Sequence, residues 1–200
     1  MDINKDISRI QSDLTHSLSH RAELINSSLE NLASSILNIA QLTEHAIKNG
    51  NKILFCGNGG SAAEAQHMAA EYCATLDHSR PRKGIPALAL TTDSSFITAW
   101  TNDFGFEDVF KRQVETLGKP NDVLMAYSTS GNSENVINGL RMASKLQCKT
   151  IGLTGKDGGE MNEICDINLC VPSIDTPRIQ EMHIIIGHTI CHIIDQKFSG

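Results

Sequence analysis

His67 and Glu71 stand four residues apart in an Ala-rich stretch. On a helix that spacing puts an imidazole and a carboxylate on one face, the side-chain types that general acid–base chemistry uses. Just before them, an apolar run (Ile53, Leu54, Phe55, Cys56) breaks into Gly57, Asn58, Gly59, Gly60 and Ser61. The pattern predicts strand, glycine turn and helix. Such a turn aims unpaired backbone N–H groups and the positive end of a helix dipole at whatever lies above it, which favours an anion. A purely structural segment has no need of an anion cradle followed by that His/Glu pair.

A second cradle follows the apolar run Val123, Leu124, Met125, Ala126 and Tyr127, which opens into Ser128, Thr129, Ser130, Gly131, Asn132 and Ser133. Five hydroxyl and amide side chains beside free N–H groups suit a phosphoryl group better than a metal, and an ordinary helix cap needs only one of them.

Both turns need a scaffold. Buried strands are expected near residues 53–56, 87–90, 122–127, 150–154 and 167–171, with helices between them. Alternation of this kind predicts an α/β fold: a five-stranded parallel sheet in three α/β/α layers, with ligands at the carboxyl ends of the strands. Residues 94–100 read as a helix, 102–105 as a break, and Asp108 to Leu117 as a helix. Before the first strand, residues 1–20 read as a polar helix, and apolar residues recur at helical spacing from Ile25 to Ile47 up to a stop at Asn49-Gly50. Residues 1–50 are thus expected to form N-terminal helices used in oligomer packing, and 51–200 the sheet domain. Packing of the second helix on its own sheet fits the same pattern. A last helix runs from Pro177 to about Phe198, on which His183 and His192 read as packed residues.

Two hundred residues suit one domain with a substantial core. Lys plus Arg number 17 against 23 Asp plus Glu, without long runs, so nothing in the charge pattern marks a nucleic-acid partner. No apolar run approaches 18 residues, which argues against membrane spanning. The six cysteines include no Cys-x-x-Cys pair and read as reduced thiols of a cytoplasmic protein.

Taken together, Gly57–Ser61, residues 102–105 (Asn-Asp-Phe-Gly), Ser128–Ser133, residues 153–159 (Leu-Thr-Gly-Lys-Asp-Gly-Gly) and residues 178–183 (Arg-Ile-Gln-Glu-Met-His) resemble the sugar isomerase (SIS) domain, and within it the phosphoheptose isomerases. The resemblance implies a cytoplasmic homotetramer that converts sedoheptulose 7-phosphate to D-glycero-D-manno-heptose 7-phosphate, toward the heptose of lipopolysaccharide or capsule. It implies substrate contacts at Asn58, Gly59, Gly60, Ser61, Glu71, Asn102, Asp103, Ser128, Thr129, Ser130, Ser133 and Gln180, with the serine turn on the phosphate. It further implies Glu71 and His188 as catalytic groups, and a zinc ion on His67, Glu71, Gln180 and His188. Pro177 stands where some relatives carry Asp.

The residue types fit the implied chemistry. Ketose to aldose conversion moves one proton between C1 and C2 and another between two oxygens, work suited to a carboxylate and an imidazole. Zinc accepts nitrogen and carboxylate ligands. Gln180 and His188 lie about 12 Å apart along a helix, so either both reach to a midpoint or two subunits supply them. The same resemblance leaves two other readings: a non-catalytic SIS-domain partner of the replication initiator, which lacks the counterparts of Glu71 and His188, and an isomerase of another phosphosugar.

Overall fold

A computed structural model describes residues 3–199, so Met1, Asp2 and Gly200 at the ends of the two expected units lie outside the described residues. The chain forms α1 (Ile3–Lys48), β1 (Ile53–Gly57), α2 (Gly60–Cys73), β2 (Ala87–Ala89), α3 (Ser94–Phe104) and α4 (Val109–Leu117). It continues through β3 (Val123–Ser128), α5 (Glu134–Lys145), β4 (Lys149–Gly155), α6 (Met161–Ile164), β5 (Ile167–Val171) and α7 (Thr176–Phe198).

The five strands pair in parallel in the order β2-β1-β3-β4-β5. β1, β3 and most of β4 are buried on both faces, as expected of strands covered by helices on each side. Their side chains alternate between two cores. Phe55, Met125, Tyr127 and Leu153 pack with residues of α1, α2 and α7, whereas Leu54, Cys56, Leu124 and Ala126 pack with residues of α4 and α5. This is the three-layer arrangement. From β1 the chain proceeds to β2 on one side and returns to β3 on the other. The topological switch point, where open α/β sheets bind ligands, is therefore the crevice between the carboxyl ends of β1 and β3.

Two expectations are corrected. The N-terminal helices are one helix of 46 residues, about 69 Å long. No glycine or proline occurs before Gly50 to interrupt it. From Leu24 onward it buries Leu24, Leu32, Ile39 and Ala46 in the core with α7, while Ile7, Ile10, Leu14 and Leu18 stay exposed near its start. The expected break at residues 102–105 is also displaced. α3 runs through Asn102 and Asp103 to Phe104 and stops only at Gly105, whose φ of 99° suits glycine. Asp93 caps the start of α3 by accepting from the Phe96 N–H at 2.9 Å.

Candidate functional site

Both cradles lie at the switch point. The first turn of α2 begins at Gly59, φ 56°, with no side-chain cap. Gly57 must lack a side chain, because a Cβ there would fall 2.8 Å from the Ser61 carbonyl oxygen. Ser61 itself is buried and its N–H donates to the Asn58 carbonyl, so the structure turns this residue inward. Beside the turn lies a cleft of about 190 Å³ whose lining includes Asn58, Ala62, Thr91 and Ile97.

The serine turn is held from behind. Asn132 Oδ1 accepts from the Glu160 N–H at 2.9 Å, Gly131 O from the Met161 N–H at 3.1 Å. Ser133 precedes α5 yet gives it no side-chain cap. Its hydroxyl instead lies 2.9 Å from that of Ser128, whose oxygen is 3.5 Å from Ser130 Oγ. Three hydroxyls thus converge beside the uncapped N-terminus of a 12-residue helix, the environment an anion favours.

α2 and α7 run side by side in the same direction. Gln180 lies against Gly60, where a Cβ would fall 2.6 Å from the amide Nε2, and Gly187 lies against Met68. His188 meets His67, Nε2 to Nε2 at 2.8 Å. Further along, Asp195 accepts from the Leu76 and Asp77 N–H groups at 3.0 and 3.2 Å. At the middle of this seam His67, Glu71 and His188 bring ligand atoms within 4.8 Å of one another, with Glu71 Oε1 3.5 Å from His67 Nε2. Two imidazoles and a carboxylate are a donor set that fits zinc. Gln180 sits at an earlier level of the seam than His188, against the glycine turn.

Asn102 and Asp103 lie exposed at the end of α3, where the Asn102 amide donates to Asp103 Oδ1 at 2.7 Å. Neither bonds to the two turns among the described residues. Thr129 and Ser130 are half-buried. Pro177 occupies the first turn of α7. His183 is packed as expected and donates from Nε2 to the Thr154 carbonyl at 3.0 Å. Burial lowers its pKa to about 4. His192, expected to be packed, is exposed and pairs with Gln196.

Three features escaped the sequence reading. Glu64 lies one turn before His67 on α2 and is 7% exposed, its Oε1 without a hydrogen-bond partner among the described residues. Desolvation pushes its carboxyl up to about 9. Asn135, two residues after Ser133, is buried and pairs with Asn58. Arg82, in what reads as a plain loop, is wholly buried against Asp195 of α7 and donates to the carbonyls of Glu71 and Tyr72 at 3.0 and 2.9 Å. None of the three carries a local sequence signal; a charge in a Pro/Gly-flanked loop normally reads as solvated.

A protein-family model of the SIS domain matches residues 18–155. The phosphoheptose isomerase of Aliarcobacter butzleri is 57% identical over 182 residues, covering 91% of this chain and 95% of that protein. The chain belongs to the SIS-domain family of phosphoheptose isomerases. Phosphoheptose isomerase 1 of Campylobacter jejuni is 53% identical over 169 residues, 84% of this chain and 90% of its own length. Among solved structures, the phosphoheptose isomerase of Neisseria gonorrhoeae superposes with a TM-score of 0.86 at 40% identity, covering 94% of this chain and 99% of that one. The five-stranded parallel sheet flanked by helices is therefore that of a phosphoheptose isomerase fold. No helix among the described residues is long and apolar enough to cross a membrane.

Proposed function

We propose that this chain interconverts sedoheptulose 7-phosphate and D-glycero-D-manno-heptose 7-phosphate through an enediol, the step that opens nucleotide-activated heptose synthesis for lipopolysaccharide or capsule. The observation that carries the reading is the meeting of His67, Glu71 and His188 across α2 and α7, in a chain that also has two anion cradles at its switch point. A binding-only SIS domain has no use for that group.

In this reading the phosphate rests on Ser128, Thr129, Ser130 and Ser133 at the N-terminus of α5. The sugar lies along Asn58, Gly59 and Gly60 with Gln180, and Asn102 and Asp103 approach from the end of α3. Glu71 takes a proton from C1 of the ketose and returns it to C2. His188 carries the oxygen protons: O2 is protonated as the enediol forms, and O1 is deprotonated as the aldehyde appears. His67, Glu71 and His188, with Gln180, would hold zinc. When bound, the ion supplies Lewis-acid polarisation of the carbonyl and charge stabilisation in the enediolate.

Glu71 lies eleven residues beyond Gly60, about 16 Å along α2, so one copy's glycine cradle and its own triad are set apart along the helix. The site is read as completed between copies, the cradle and Gln180 of one subunit facing the His67/Glu71/His188 group of another, in a cytoplasmic homotetramer. The exposed Ile7, Ile10, Leu14 and Leu18 of α1 support burial against further copies. Purified protein supplied with zinc and sedoheptulose 7-phosphate should yield the aldoheptose phosphate. Binding of the sugar phosphate without turnover, by folded and zinc-loaded protein, would instead leave a non-catalytic platform.

A further inference from the structure

The glycine turn is closed by backbone bonds from Ser61, Ala62 and Ala63 back to Asn58 and Gly59, all within its own segment. Gly57, Gly59 and Gly60 carry no side chains, and Gly59 takes a positive φ, so the backbone that meets the sugar is intrinsically permissive. Asn58 is the one side chain in that run, and it points across the crevice. Its Nδ2 donates to Asn135 Oδ1 at 2.8 Å, and the Asn135 Nδ2 donates back to Asn58 Oδ1 at 2.9 Å. The reciprocal pair spans 77 residues of sequence. It joins the turn after β1 to the first turn of α5, the helix whose N-terminus carries the serine cradle. Asn135 is 3% exposed, so its amide is shielded from competing water, whereas half-buried Asn58 keeps one N–H and one lone pair free for a ligand.

We propose that Asn135 is a positioning residue of the site: through Asn58 it fixes the glycine turn that receives the sugar and ties it to the helix that receives the phosphate. The proposal rests on the sugar-phosphate reading above. It assigns Asn135 no contact with substrate. Removing it frees the turn while leaving Ser128, Ser130 and Ser133 in place before α5, so the sugar end of the site loosens and the phosphate end does not.

Calorimetric affinities for sedoheptulose 7-phosphate and for inorganic phosphate test this on the zinc-loaded protein, with wild-type turnover measured in parallel. Asn135→Ala should weaken sedoheptulose 7-phosphate about tenfold, the scale of two neutral hydrogen bonds, and change inorganic phosphate less than twofold. Asn135→Asp keeps the acceptor for Asn58 Nδ2 and loses the donor, so it should fall between wild type and Asn135→Ala. If Asn135 acts through Asn58, adding Asn135→Ala to Asn58→Ala should cost nothing further. Additive losses in the double variant, or equal losses for both ligands, would overturn the proposal. Should Asn135→Ala fail to fold, Asn135→Asp with unaltered sugar-phosphate affinity would overturn it as well. An inactive wild type that still binds the sugar phosphate would count against the isomerase reading alone, since the affinities do not depend on turnover.

Discussion

His67 and His188, 121 residues apart in sequence, face each other Nε2 to Nε2 at 2.8 Å across two parallel helices. Facing ring nitrogens of this kind are a pair that one metal cation can use as ligands. Glu71 completes the group from the next turn of α2. In the proposed function this group carries proton transfer and the two cradles carry anion binding.

His188→Ala removes the imidazole assigned to the oxygen protons. A positioned acid–base group contributes about 10²–10⁴-fold, so kcat should fall at least about a hundredfold. Tight zinc binding should be lost as well, which metal analysis after gel filtration would show. Retention of one equivalent of zinc would place the ion elsewhere.

Glu64 gives a pH signature. Burial raises its carboxyl from 4.5 to about 9, so the folded chain holds a proton there that the unfolded chain releases. Its contribution is fully present below pH 4.5 and is lost as pH rises toward 9. Glu64→Gln lacks this dependence, so in metal-free protein its Tm relative to wild type should rise between pH 5 and pH 8. An unchanged difference across that range would refute the assignment.

The Arg82–Asp195 pair joins the C-terminal turn of α2 to α7 with both side chains essentially buried. Because Arg82 also satisfies the Glu71 and Tyr72 carbonyls, Asp195→Ala strands a guanidinium that cannot leave. Loss of one partner of a buried pair costs about 3–5 kcal/mol, which denaturant unfolding should register. Arg82→Lys should recover little, since one ammonium cannot reproduce the fork.

Subunit sharing predicts complementation. Gln180→Ala impairs the cradle end and His188→Ala the triad end, so mixed tetramers contain some sites with both defects and some with neither. Activity should return on mixing under conditions of confirmed subunit exchange. No return would confine the site to one chain.

Local signals in the sequence were strong where the chemistry is local. The strand, turn and helix around Gly57–Ser61, and the matching unit around Ser128–Ser133, follow from apolar runs ending in small residues. The resemblance to SIS domains then supplied the partners on α7. Boundaries failed where a weak helix former is tolerated by context: Asn102 and Asp103 continue α3 because only Gly105 takes a conformation that ends it. Long-range pairings left no local trace. Asn58 with Asn135, and Arg82 with Asp195, depend on which elements the sheet order and the α2–α7 seam bring together.

The central claim is proton transfer at carbon through an enediol with Glu71 as the base, and NMR of the reaction run in deuterated water tests it most directly. Wild-type protein should release aldoheptose phosphate carrying deuterium at C2, and Glu71→Gln, folded and zinc-loaded, should release none. Product formed without deuterium at C2 under conditions of solvent exchange, or undiminished turnover by Glu71→Gln, would contradict it.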